Sequence, residues 1–294
     1  MKIFTTGSEG QLGWELLRQG ERFDFEVIGA DLPETDITDS SQLENILADL
    51  QPSLVVNAAA YTNVDGAETE EMLAFAVNRD GPANLAKVCA DAGIPLIHIS
   101  TDFVFDGKKT TPYVEADTVS PLGIYARSKA AGEDAVRSRV KEHLIMRTAW
   151  LYGVHGHNFV KTMLRIGKER DVVRVVADQY GSPTFAADLA EAVLTMAAQV
   201  RDGSEIGWGT YHYCGSGVTT WHGFAEAIFE VAGQYPPRKT TRAEPITTAE
   251  YPTAAKRPMY SALDCALIQK NFRITPKPWQ ERLKFMIEQI LSGR

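Results

Sequence analysis

Cysteine is scarce in this chain of 294 residues: Cys89, Cys214 and Cys265 are odd in number, scattered and free of any CxxC spacing. That usage excludes a disulfide-stapled scaffold and fits a reducing compartment, so a cytoplasmic protein is expected. Long hydrophobic runs are missing as well. No apolar stretch approaches the ~20 residues of a membrane span, and the N-terminus enters a strand directly, without a signal sequence. Positive charge is in deficit, with 30 Lys and Arg against 38 Asp and Glu and a net charge of −8. Such an acidic chain is a poor partner for nucleic acid or an anionic membrane, and neither is expected. The six histidines show no metal-ligand spacing on a helix. The nearest pair, His155 and His157, lies in a glycine-bearing loop and reads as a simple polar loop. Internal repeats and low-complexity linkers are absent.

What is present is a regular alternation of apolar strands and amphipathic helices. At 44% hydrophobic residues the chain can bury one large core, or a main domain with a smaller second one. A strand at Lys2 leads through a glycine turn to a helix around Trp14–Gly20. Strands follow at Phe25–Ala30, Leu54–Ala58, Pro95–Ser100 and His143–Arg147. Between them helices are predicted near Ser40–Leu50 (capped by Asp39 or Ser40), at about Glu70–Ala92 and around Ala126–Arg139. Continuous apolar strands between helices predict an α/β fold: a doubly wound parallel sheet of Rossmann type, covered on both faces. Pro and Gly become denser after about Tyr152, and the segments beyond Gly203 are less regular. A smaller, discontinuous C-terminal substrate domain is therefore expected, from about 151–184 plus 204–294. Residues 1–150 plus about 185–203 would form the dinucleotide-binding domain.

The first motif is KIFTTGSEGQLG at residues 2–13, a strand running into Gly7, Gly10 and Gly13. Gly7 permits the tight turn, Gly10 lets a pyrophosphate approach bare backbone, and Gly13 lets the helix pack on the sheet. The free N–H groups of that helix start would face the phosphates. Asp31 closes the second strand, where a carboxylate can accept bonds from both adenosine ribose hydroxyls. The loop after it, LPETD, has acids and no Arg or Lys, so NADH is expected to be preferred, with NADPH possible. At Asn57–Thr62, NAAAYT ends the third strand in small residues that could wall a cofactor or simply pack beneath a helix.

The chemistry lies further on. The fourth strand ends in Ser100-Thr101-Asp102, and YARSK places Tyr125 and Lys129 four apart on one helix face. A second Tyr-x-x-x-Lys, Tyr235–Lys239, contains two prolines and cannot be a helix interior. A free phenol titrates near ~10, and a neighbouring ammonium should pull it toward neutrality, matching it to donate a proton to a developing alkoxide. Thr101 could hold the same carbonyl oxygen.

With these residues the chain resembles the extended short-chain dehydrogenase/reductases and, among them, the dTDP-4-dehydrorhamnose reductase family. The resemblance rests on TGSEGQLG at 6–13, DITD at 36–39, NAAAYTNVDGAE at 57–68, STDFVFDG at 100–107 and YARSKAAGE at 125–133. It continues through RTAWLYG at 147–153, DQYGSPT at 178–184, TTW at 219–221 and RP at 257–258. It implies reduction of the C4 carbonyl of dTDP-4-dehydro-L-rhamnose by NAD(P)H, with Thr101, Tyr125 and Lys129 as catalytic residues. Gly7, Gly10, Gln11, Leu12, Asp31, Asp36, Ile37, Ala58, Ala59 and Tyr61 would line the cofactor together with Tyr125 and Lys129. Val64, Thr101, Asp102, Phe103, Tyr125, Trp150 and Asn158 would face the sugar nucleotide, with Arg257 at its diphosphate. Arg257 beside Pro258 equally suits a loop surface, and Trp150 equally suits a core position between domains.

Phe103 stands where members of that family often carry tyrosine, so one substrate hydrogen bond is not carried over. A related dehydratase would place glutamate there, and Phe103 leaves no base for the carbon proton. A cofactor-binding regulatory subunit of a synthetase has the same resemblance, and an intact triad does not separate it from an enzyme. Some members of the family dimerise through magnesium. Glu15 and Glu288 match two of the ligands, but the third falls at Ala187, so no metal is expected and monomer or homodimer stays open.

Overall fold

The structure, a computed structural model, describes residues 1–235 and 241–292. β1 (Lys2–Thr6) is followed by α1 (Gln11–Gln19), β2 (Glu26–Ala30), α2 (Ser40–Leu50) and β3 (Leu54–Asn57). Then come α3 (Glu71–Phe75), α4 (Gly81–Ala92), β4 (Leu96–Thr101), α5 (Ile124–Arg139) and β5 (His143–Thr148). The side chain of Asp39 caps α2, accepting from Gln42 N. The single helix expected at 70–92 is instead α3 and α4 joined by a π-helical turn, Ala76–Asp80.

Strands β1 to β5 pair in parallel in the order β5-β4-β3-β1-β2, and a sixth strand, Gly209–His212, adds in parallel beside β5. Alternate side chains feed two cores. Ile3, Leu54, Val56, Ile97 and Met146 pack against Leu12 and Leu16 of α1. Phe4, Val55, Leu96 and Ile145 pack against Leu43, Leu85 and Val136 from the other layer of helices. The chain leaves β1 to one side for β2 and to the other for β3. Ligands of doubly wound sheets bind at that switch point, beyond the carboxyl ends of the strands.

The second part comprises β6 (Leu151–Tyr152), α6 (Phe159–Glu169), β7 (Val172–Val176), β8 (Tyr180–Gly181), β9 (Thr184–Phe185) and α7 (Ala186–Arg201). It continues with β10 (Gly209–His212), β11 (Thr219–Thr220), α8 (Trp221–Gly233), β12 (Arg242–Ile246), α9 (Ala266–Phe272) and α10 (Trp279–Ser292). Its own core joins α6, α8 and α10 to β7 through Val160, Val173, Phe224, Trp279, Leu283 and Ile287. α7 gives that core only Ala187 at its start; Leu189, Val193 and Met196 face α1 and the main sheet. β10 was expected in the smaller unit but hydrogen-bonds along β5, because buried Tyr211 fits the apolar layer of the large sheet. The Tyr235–Lys239 decoy runs beyond Tyr235 into residues outside those described. Folding also brings Cys214 and Cys265 to a sulfur–sulfur distance of 3.7 Å as free thiols, which their separation in the chain concealed. Among the described residues no helix is long and apolar enough to cross a membrane.

Candidate active site

A cavity of about 630 Å³ opens at the carboxyl edge of the sheet and runs from the glycine turn to the end of β4. At its first end the packing is backbone on backbone. Gly7 has φ of +70°, and a Cβ there would stand 2.5 Å from Ala59 N. A Cβ on Gly13 would stand 2.1 Å from the Gly7 carbonyl oxygen, so β1, β3 and α1 close on each other only without side chains. Gly10 differs: an added Cβ would meet only Gly7 O, at 3.2 Å, and the residue lines the cavity. It is the N-cap of α1 and has no capping side chain, and no acid occupies the first turn. The leading N–H groups of α1 therefore lack helical partners and suit an anion, and Gln11 and Leu12 line the cavity beside them.

Asp31 lines the same end, its carboxylate accepting from Glu9 N and Leu32 N, each at 2.9 Å. Ala58 lines the wall, while Ala59 abuts Gly7 through its backbone. Other expected cofactor residues stand outside the lining. The Asp36 carboxylate is occupied by Thr38 N and Oγ1, both at 2.8 Å, and Ile37 is buried in the core beneath Gly81. The Tyr61 phenol donates to Glu70 at 2.5 Å.

At the other end β4 delivers Ser100 and Thr101, and the short turn after it delivers Asp102. Asp102 is 2% exposed; Oδ1 accepts from the Thr101 hydroxyl at 3.0 Å, and Oδ2 has no hydrogen-bond partner in the described residues. Burial raises its pKa to about 7, against the downward pull of the nearby Ser261 and Thr101 hydroxyls. Tyr125 and Lys129 reach the cavity from the first two turns of α5. The expectation that Lys129 pulls the phenol toward neutrality fails. Tyr125 is instead raised to about 12, chiefly by burial and also by the Asp102 charge, with the Thr101 hydroxyl opposing. The reason is geometric: the Lys129 ammonium donates to Ile99 O at 2.7 Å, and its charged neighbour is Glu133. Burial lowers Lys129 itself to about 8.

Phe103 meets the Tyr125 ring edge-on at 5.9 Å. Trp150 lines the cavity with φ of +46°, stacks on Trp221 at 3.6 Å, and covers bare Gly181. The remaining expected substrate residues are engaged elsewhere. Arg257 makes a two-pronged pair with Asp65, 2.6 Å at its shortest, beside Val64, and neither Val64 nor Arg257 lines the cavity. Asn158 caps α6 and donates to Gln11 Oε1 at 3.1 Å.

The histidines of the loop before α6, read from sequence as a simple polar loop, lie beside the cavity. His155 stacks on Trp14 at 5.1 Å and bonds Glu9 O at 2.9 Å, while Gly156 and His157 line the cavity. The signal was the pairing of that glycine-histidine loop with a half-buried aromatic at the start of α1. The glutamate positions weighed for magnesium hold other partners. Glu15 accepts from Arg18 at 2.6 Å and from Gln19, which reaches on to Ala187 O, and Glu288 bonds Tyr235. Among the described residues no group of three or more His, Cys, Asp or Glu could hold a metal ion.

Comparison with known proteins bears on the family and the fold. The family model described as "RmlD substrate binding domain" matches residues 1–292. A dTDP-4-dehydrorhamnose reductase from Aggregatibacter actinomycetemcomitans is 41% identical over 96% of this chain and 97% of its own. A crystal structure of the same-named reductase from Clostridium acetobutylicum superposes with a TM-score of 0.91 at 38% identity, covering 99% of each chain. That from Bacillus anthracis, solved in complex with NADP, gives 0.90 at 37% identity, covering 98% of this chain and 99% of its own. On a family match along nearly the whole length and relatives of this similarity, the chain belongs to the dTDP-4-dehydrorhamnose reductase family.

Proposed function

We propose that this chain reduces the C4 carbonyl of dTDP-4-dehydro-L-rhamnose to give dTDP-L-rhamnose, with NAD(P)H as reductant and Tyr125 as proton donor. One observation carries the reading. Thr101, Asp102, Tyr125 and Lys129 line the same cavity that begins at the bare N-terminus of α1. When bound, the nicotinamide supplies the hydride to the carbonyl carbon.

The residues divide the remaining work. Gly7, Gly10, Gln11 and Leu12 would hold the diphosphate and Asp31 a ribose, while Ala58 walls the adenosine side. Thr101 would hold the carbonyl oxygen, and Asp102 Oδ2 would take a sugar hydroxyl. The raised Tyr125 remains a neutral phenol at neutral pH, which is the form a reductase needs, because a developing alkoxide is the stronger base. Lys129 lines the same cavity as the phenolate left behind. In this reading residues 1–150 with about 185–212 serve the dinucleotide, and 151–184 with 213–292 serve the sugar nucleotide, in the cytoplasm.

NADH is the preferred partner because a 2′-phosphate would meet the Asp31 carboxylate with no Arg or Lys in residues 32–35. Phe103 argues against a dehydratase, since an apolar ring against Tyr125 cannot move a proton on carbon. The test supplies dTDP-4-dehydro-L-rhamnose and follows NADH consumption, then repeats with NADPH. Turnover no greater than that of Tyr125→Phe overturns the reading, and a strong NADPH preference overturns the cofactor choice.

A further inference from the structure

A buried polar row crosses the sheet beneath the cavity. Thr6 Oγ1 donates to Asn57 Oδ1 at 2.9 Å, and Asn57 Nδ2 donates to His98 Nδ1 at 3.1 Å. On the far side Arg147 Nη1 lies 3.4 Å from His212 Nε2. Between these pairs a carboxylate comes down from α5. Glu133 is wholly buried and accepts from Ser100 Oγ at 2.6 Å, from Arg147 Nε at 2.8 Å and Nη2 at 2.7 Å, and from Arg137 Nη2. It lies one helical turn beyond Lys129, which is 2% exposed.

A buried carboxylate is costly unless its surroundings return the loss, and this one is saturated with donors. Its partners are the floor of the site. Ser100 precedes Thr101 on β4, and Arg147 precedes Thr148 on β5, and all but Arg147 line the cavity. We propose that Glu133 is a positioning residue for the reduction: it is the buried counter-charge that keeps Lys129 an ammonium ion, and it ties the ends of β4 and β5 together beneath the reacting carbonyl. This rests on the function proposed above.

The charges around Lys129 support that assignment. Tyr125 and Glu133 face it from its own helix with Arg137 a turn further on. His98 of β4 feels the Lys129 and Arg137 charges, Asp102 lines the same cavity, and Arg147 of β5 reaches Glu133 rather than Lys129, with His212 of β10 behind it. His98 and His212 are neutral, burial holding the first well below its usual range and the second at about 3. Lys129, Arg137 and Arg147 therefore share Glu133 as their common buried anion, and of the nearby charges it is the one that raises Lys129 against burial.

The experiment reads Lys129 directly in the protein without cofactor. Reductive methylation with formaldehyde and borohydride across pH, followed by peptide mass spectrometry, gives the midpoint at which the Lys129 amine becomes free. In Glu133→Gln that midpoint moves down by about one pH unit or more, the usual reach of a close charge. The alkaline limb of kcat/KM moves with it, and Glu133→Asp restores both toward the wild-type position. Glu133→Gln/Arg147→Met leaves no unpaired charge at the pair and reads the same shift where the single variant folds poorly. An unmoved midpoint with a uniform loss of rate overturns the proposal, as does failure of all three variants to fold alike. Wild-type turnover in the same assay separately tests the function on which it rests.

Discussion

The two ends of the cavity are made of opposite materials. At the phosphate end the chain removes side chains so that backbone meets backbone, with Gly7 against Ala59 and Gly13 against Gly7. At the proton end it buries side chains that ordinarily stay in water, among them Asp102, Lys129 and Glu133. Under the proposed function the first end would bind through N–H groups fixed by the helix, and the second would act through charges tuned by burial and by each other. Substitutions at the two ends should therefore fail in different ways.

The sharpest separation comes from Tyr125→Phe. It keeps the ring against Phe103 and removes only the transferable proton, so kcat should fall by ~10²–10⁴. Cofactor affinity, measured by NADH fluorescence titration, should stay within about two-fold if binding and proton donation are separate. A comparable loss of affinity would merge the two ends into one unit. Gly13→Ala is the converse. Its new methyl would stand 2.1 Å from the Gly7 carbonyl oxygen, so the turn must shift. Cofactor affinity should drop by at least about ten-fold and stability by about 1–3 kcal/mol, with kcat at saturating NADH largely retained.

The same contrast explains what could be read before folding. The glycine turn was legible because its requirement is local: no side chain fits between adjacent elements. Thr101, Tyr125 and Lys129 were legible because strand end and helical spacing put them on one edge. Their electrostatics were not. The phenol rises instead of falling chiefly because it is buried, with the Asp102 charge adding to the rise, while the Lys129 ammonium turns to Ile99 O and Glu133. Partners distant in sequence were also hidden. Arg257 and Asp65 lie 192 residues apart, and Asn158 and Gln11 lie 147 apart. The row from Thr6 to His212 uses one residue from each of five strands, so no window of sequence contains it.

Asp31 sits at the phosphate end yet acts by charge, so it tests how far the contrast extends. Asp31→Ala removes the acceptor for Glu9 N and the repulsion against a 2′-phosphate together. The ratio of kcat/KM for NADH over NADPH should fall by about ten-fold, worth ~1.4 kcal/mol. An unchanged ratio would place cofactor choice elsewhere in the cavity.

The smallest effect is expected where the smaller unit touches the phosphate turn. His155 reaches across from the loop before α6, stacking on Trp14 and bonding Glu9 O, and Asn158 grips Gln11 from the same loop. These contacts join half-buried side chains and each is modest: an aromatic pair contributes ~0.5–1.5 kcal/mol and a hydrogen bond about as much. His155→Ala should raise KM for NADH by roughly three-fold and leave kcat alone, because the loop covers the helix N-terminus without touching the proton end. A fall in kcat at saturating NADH would show that the loop holds the two halves in register for the reaction. The loop would then belong to the chemical end as much as to the binding end.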